Sequence, residues 1–243
     1  MVKKIINHIK WRIEILREII IPEAYYARKL PKIIMAGPFA GMKYANRHPP
    51  GGIVLPKLIG TYEDELEPVW QEIKQKPYEV FINAGAAEGY YSVGFRKYIL
   101  PNIRSIAFEM QAVNRRSIAK LARLNNTSVE IKGICTKDNL KQVIGNKKSL
   151  ILMDIEGAER EVLDVNYIDF RQTDLVVEVH PAYDPELEKK LIERFKNTHT
   201  IEVIQKKEKK LPNITYPDWV YEKSKFVMDE FRGPQTWLWM QAK

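Results

Sequence analysis

From Tyr78 onward, short apolar runs alternate with stretches of helical spacing. "EVFINA", "IRSIAFEM", "SVEIKGIC", "SLILMDIE" and "TDLVVEVH" each read as a buried strand. Between them, Tyr90 to Tyr98, Ala112 to Leu124, Asn139 to Ile144 and Ala158 to Leu163 read as helices. Strands alternating with helices predict a parallel sheet made of right-handed crossovers. A helix over Pro185 to Asn197 follows, and then "HTIEVIQKK" and "QTWLWMQA" predict late strands separated by a long loop.

The part before Tyr78 has a different rhythm. Ile5, Ile9, Ile13, Leu16 and Ile20 recur at spacings of three and four, which predicts an amphipathic helix over residues 3–21, ended by Pro22. Such a helix packs on its own domain or a partner subunit, with a membrane surface as the alternative. Residues up to Gly60 are rich in glycine and proline and read mostly as loop, with "GPFAGMKY" taken as a lid or acceptor-side segment. Thr61 offers a cap to a further helix ending before Pro77. The expected organisation is therefore an N-terminal helical and loop extension, 1–77, and an α/β domain, 78–243.

Composition narrows the class without naming it. The 243 residues are 45% hydrophobic and 29% charged, as in ordinary globular protein. No apolar run approaches the roughly 20 residues that a membrane span needs. Lys10, Arg12, Glu14, Arg17 and Glu18 break up any secretory apolar region, so the expected location is the cytoplasm. Cys135 is the single cysteine, which excludes an intramolecular disulfide and agrees with a reducing compartment. Lysine and arginine outnumber aspartate and glutamate by 39 to 31, giving a net charge of +8. The excess is diffuse: Glu208 interrupts Lys206, Lys207, Lys209 and Lys210, and no nucleic-acid module is visible, so no nucleic acid is expected as a partner.

The candidate chemistry starts at the glycine turn. Asn83-Ala84-Gly85-Ala86-Ala87-Glu88-Gly89 leaves the first strand and opens a helix, where free backbone N–H groups and the helix dipole favour a negative group. Glu109 ends the second strand about twenty residues later, the position from which a carboxylate accepts hydrogen bonds from ribose hydroxyls. Nicotinamide cofactors and S-adenosylmethionine both suit this arrangement. The later strand ends carry Asp154 and Glu156 after the fourth strand, and Glu178 and His180 after the fifth. In an open α/β sheet these ends line the crevice where ligands sit.

Taken together, "FINAGAAEGYYSVGF", "IAFEMQAVNRRSIAKLARLNN", "LILMDIEGAEREVLD" and "LVVEVH" resemble the FkbM-type methyltransferases, a branch of the class I S-adenosylmethionine-dependent enzymes. The resemblance covers about residues 78 to 182, and Asp-x-Glu-Gly-Ala-Glu is its most specific part. It implies a Rossmann-like, doubly wound, mostly parallel seven-stranded sheet with an antiparallel last strand, S-adenosyl-L-methionine as cofactor, and methyl transfer to oxygen. By the same resemblance Asn83, Gly85, Ala86, Glu88 and Gly89 would surround the methionine part, Glu109 the ribose, and Asp154 the amino group or the acceptor. The family commonly has aspartate where this chain has Asn83, so an ammonium contact there loses its charge, and Glu88 is a replacement.

Methyl transfer from a sulfonium is an in-line displacement and requires the acceptor hydroxyl to lose its proton. His180, Asp154 and Glu156 are the expected catalytic residues, with His180 as the base. No metal ligand set is assigned; a metal enters only as the alternative if His180 is not the base. The expected function is O-methylation of a glycan or small metabolite. The alternatives are a non-catalytic cofactor- or partner-binding domain on the same fold, and RNA methylation.

Overall fold

The computed structural model describes residues 10–44, 53–233 and 235–243. Its seven strands are β1 (Val80–Ala84), β2 (Arg104–Phe108), β3 (Glu130–Lys132), β4 (Ser149–Met153), β5 (Thr173–Val179), β6 (His199–Gln205) and β7 (Thr236–Ala242). They form one sheet in the order β3-β2-β1-β4-β5-β7-β6. β1 to β5 are parallel, whereas β7 runs antiparallel to both β5 and β6. The parallel part is what the alternating pattern predicted, and the whole is the Rossmann-like seven-stranded sheet with an antiparallel last strand that the resemblance implied.

The sequence explains the sheet. β1, β4 and β5 are buried along their whole length, so they read as continuous apolar runs rather than alternating ones. Ile82, Ile106, Ile151, Val177 and Leu238 from neighbouring strands share one core cluster with Leu140, Val162, Leu191 and Phe195 from the helices. The helix Ala112–Leu124 occupies the predicted bounds, and the helix Lys137–Ile144 begins two residues early because Thr136 and Asn139 close a capping box. The chain passes from β1 outward to β2 and β3 and then returns to β4 on the other side of β1. The strand order therefore switches between β1 and β4, and a ligand crevice belongs at the carboxyl ends of those strands.

The chain divides into two compact units, Glu63–Glu208 with Gly233–Lys243, which contains the sheet, and Met1–Tyr62 with Lys209–Arg232. The units part at Tyr62 rather than near residue 77. The segment 209–232, expected as a loop of the α/β domain, instead packs in the first unit: Tyr26 stacks on Trp219 at 5.0 Å, and the Tyr216 hydroxyl donates to the Ile59 carbonyl at 2.6 Å.

Pro22 does not end the first helix. Residues 10–15 are helical, a π turn spans Leu16–Ile20, and the helix continues over Ile21–Lys29. The wide turn, in which the Ile21 amide donates to the Leu16 carbonyl, sits just before the residue that has no N–H to give. Residues 3–9 of the predicted helix lie outside the described residues. Thr61 makes no cap: a short 3-10 turn at Asp64–Leu66 leads into the helix Glu67–Ile73, with Pro68 in its first turn. "GPFAGMKY" forms a turn closed by the antiparallel bridge Ile33↔Lys43, with Phe39, Met42 and Tyr44 buried in the first unit. Among the described residues no helix is long and apolar enough to cross a membrane.

Candidate functional site

The turn after β1 is held by backbone contacts at both its glycines. Gly85 has φ +80°, and a Cβ there would lie 1.6 Å from the Asp154 carbonyl oxygen, so only glycine lets the exits of β1 and β4 touch. Gly89, at φ +98°, faces the Ile118 Cα at 3.2 Å from a hypothetical Cβ. The first glycine thus joins the two sides of the crevice, and the second lets the turn settle on the helix Ala112–Leu124.

The turn's N–H groups are largely used inside the protein. Gly85 and Ala86 both donate to the Phe108 carbonyl at 3.0 Å, and Gly89 donates to the Ala86 carbonyl at 2.8 Å. Ala87, in the left-handed region at φ 45°, donates to Glu109 Oε2 at 2.9 Å. These four amides, which the sequence offered to a negative ligand, are therefore satisfied by β2 and by the turn itself.

Glu109 completes this side. Its Oε1 accepts from the Gln111 amide at 2.7 Å, so each carboxylate oxygen holds one backbone N–H and the side chain is fixed across the turn. Arg115 donates to the carbonyls of Glu109 and Met110, which secures the strand end. Asn83, 1% exposed, accepts from the Ser92 hydroxyl at 2.8 Å through Oδ1, and its Nδ2 has no acceptor among the described residues. Glu88 is buried within the turn.

The other side is crowded with carboxylates. Asp154 lies one residue beyond the Met153↔Val177 pair, and Glu178 is opposite it on β5. His180, two residues further and on the same face, places Nε2 3.3 Å from Asp154 Oδ1 and 3.8 Å from Glu178 Oε2. Its Nδ1 lies 3.5 Å from Oε1 of Glu159, which is fully buried and accepts backbone N–H bonds from Ile155 at 3.0 Å and Gly157 at 2.9 Å. One donor atom each from Asp154, Glu178 and His180 falls within 4.8 Å of the others.

Electrostatics follow from this crowding. Burial, and then the charge of Glu63, push the Asp154 carboxyl up to about 6, against smaller opposing effects of His180 and a hydrogen bond with Glu178. Burial alone would lower His180, but the close approach of Glu159 to Nδ1 and the charge of Asp154 outweigh that and raise it. Burial works to raise Glu159, but its bonds to His180 and to the backbone prevail and hold it below the usual range. Glu63 is itself buried and accepts the Tyr91 hydroxyl.

Glu156 stands at the solvent edge of this cluster, close enough for its charge to raise both Asp154 and His180. It is exposed, adopts the left-handed region at φ 59°, and hydrogen-bonds the Tyr183 hydroxyl, which raises that phenol. The structure thus groups Asp154 with His180 and Glu178, and sets Glu156 towards solvent. Sequence reasoning missed Glu159 and Glu63. Glu159 had a signal in its spacing from Asp154 within "DIEGAE"; Glu63, far upstream of the sheet, had none.

No protein-family model and no curated protein matches this sequence. Among solved structures it is similar to a precorrin-6y C5,15-methyltransferase from Geobacter metallireducens, with TM-score 0.51 and 14% identity over 72% of this chain and 86% of that one. It is also similar to a precorrin 8w decarboxylase from Methanobacterium thermoautotrophicum, with TM-score 0.50 and 9% identity over 72% of this chain and 88% of that one. At such identities the likeness is one of fold, and the fold is the Rossmann-like methyltransferase fold.

Proposed function

We propose that this protein is an S-adenosylmethionine-dependent methyltransferase of the FkbM type, acting on a hydroxyl oxygen of a glycan or small metabolite. The observation that carries the reading is the convergence, at the switch in strand order, of the Gly85 turn, Glu109 and the Asp154–His180 pair. The residues present fit the cofactor. Glu109 keeps lone pairs beyond its two backbone bonds, enough for ribose hydroxyls. The unmatched amide of Asn83 suits the cofactor's carboxylate better than its ammonium, which leaves the ammonium to Asp154.

Bound S-adenosylmethionine supplies an electrophilic methyl group. The chain's part is to hold the acceptor oxygen in line and take up its proton. The Asp154–His180 pair suits that task, with His180 as first acceptor and Asp154 as its charge partner; an Asp154 carboxyl near 6 is also basic enough to share the proton. In this reading Glu156, which is exposed, meets the acceptor rather than the proton. Peripheral membrane contact belongs to the same reading, because Trp11, Ile13, Leu16, Ile20 and Ile21 of the first helix are exposed. Failure of the full chain to sediment with anionic vesicles at low salt removes that part.

Calorimetry tests the cofactor assignment. Glu109→Ala removes two charge-assisted ribose bonds worth about 1.5 to 3 kcal/mol each before compensation by water, so affinity for S-adenosylmethionine falls at least ~10-fold. Unchanged affinity in a folded variant removes the ribose role.

A further inference from the structure

We propose that Asp154, Glu178 and His180 bind one divalent first-row transition-metal ion, of which Mn2+ is the representative, at the carboxyl ends of β4 and β5. The ligand types suit it: two carboxylates provide hard oxygen donors, and an imidazole extends the preference towards first-row transition metals over Mg2+. The spacing suits it as well. Bonds of about 2.0 to 2.2 Å place neighbouring ligands about 3 Å apart and opposite ones about 4.2 Å apart. The observed 3.3 Å and 3.8 Å from His180 Nε2 to the two carboxylates fall between these values.

The orientation of the ring is an independent pointer. Metal-bound histidines commonly give their second ring N–H to a carboxylate, which fixes the tautomer and leaves the other nitrogen's lone pair for the metal. Glu159 stands in that place behind Nδ1, fully buried and pinned by the amides of Ile155 and Gly157. Glu159 Oε1 lies 3.5 Å from Nδ1, the side on which such a carboxylate stands, while Nε2 faces Asp154 at 3.3 Å and Glu178 at 3.8 Å.

Charge is the third pointer. Asp154, Glu159 and Glu178 surround the His180 imidazole, and the charge of Glu63 acts on Asp154. A divalent ion at Nε2 brings two positive charges to the centre of that group. Asp154 directly follows β4 and Glu178 lies within the adjacent β5, so both carboxylates are carried by rigid elements. When the ion is bound, His180 is a ligand rather than the base, and a hydroxyl on an open coordination position is acidified by the metal. That catalytic consequence rests on the methyltransferase reading, whereas the binding does not.

The test is titration of the full chain with Mn2+, without S-adenosylmethionine, by calorimetry and by electron paramagnetic resonance. One Mn2+ per chain is expected, with hyperfine coupling to an imidazole nitrogen. Asp154→Asn and Glu178→Gln are expected to weaken binding at least ~10-fold, and Glu159→Gln by about 10- to 100-fold. Glu130→Gln, a surface control, leaves it unchanged. No uptake by the wild-type chain, uptake without nitrogen coupling, or uptake undiminished in folded Glu178→Gln overturns the proposal. The nitrogen coupling needs no variant and so stands even where a substitution unfolds the protein. A chain that binds Mn2+ but not S-adenosylmethionine removes the cofactor reading and keeps this one; the reverse result removes this one alone.

Discussion

Glu109 and Asp154 both end strands that border the same crevice, yet their surroundings differ. Glu109 spends one oxygen on each of two backbone amides, and its strand end is tied down by Arg115. Asp154 has no such backbone partners; it meets Glu178, His180 and the field of Glu63, and its Oδ1 has no well-aligned hydrogen-bond donor among the described residues. A carboxylate that is saturated by fixed amides is suited to positioning. A carboxylate held among other acids, with its proton affinity raised, is suited to exchanging that proton for a charge brought in from outside. The β1–β2 side is thus built to hold a ligand still, and the β4–β5 side to respond to one.

The largest expected effect tests the responsive side. His180→Ala lowers kcat by about a hundredfold or more while affinity for S-adenosylmethionine survives, since a general base typically contributes 10²–10⁴-fold. A variant with normal turnover and weakened cofactor binding would reverse the roles of the two sides.

Next in size is the joint between them. Gly85→Ala drives a methyl group into the Asp154 carbonyl, at 1.6 Å, and asks an L-residue to hold φ +80°. The strands must separate, at a cost of about 3 kcal/mol or more. A melting temperature lower by roughly 6 °C or more is the expected reading in thermal unfolding. An unshifted transition means that the two strand ends are not in contact in solution.

A smaller effect separates the sides by pH. The Asp154 carboxyl is raised in the folded state, to about 6, so its contribution to stability is present at low pH and lost as pH climbs from about 4 through 6. His180, also raised, acts in the same direction above its ordinary value. Asp154→Asn therefore gains thermal stability relative to wild type as pH rises from 4 to 7, then levels off. A difference that is flat across that range, or that runs the other way, contradicts the crowded-acid account.

Much of the sheet was readable in the sequence because its strands are buried on both faces. Five apolar runs between periodic helices left little freedom in topology, and the helix Ala112–Leu124 matches residue for residue. The strand ends were readable for the same reason, since a charged residue directly after a buried run marks where the sheet meets the crevice. What the sequence hid is tertiary. Pro22 reads as a stop, but a single π turn absorbs its missing donor. The amides of the glycine turn read as free, but β2 takes them. Glu63 lies outside every strand and helix pattern, and its effect on Asp154 arises only from folding.

The central claim is methyl transfer at this crevice, and one measurement meets it directly. The full chain is incubated with methyl-labelled S-adenosylmethionine and a cell extract, with Mn2+ present and absent, and the products are digested separately with nuclease and glycosidase. The account predicts label that resists nuclease and is either released by glycosidase or recovered in small metabolites, and that is lost with His180→Ala. Label confined to nuclease-sensitive material, or no transfer under either condition by a chain that binds the cofactor, would contradict it.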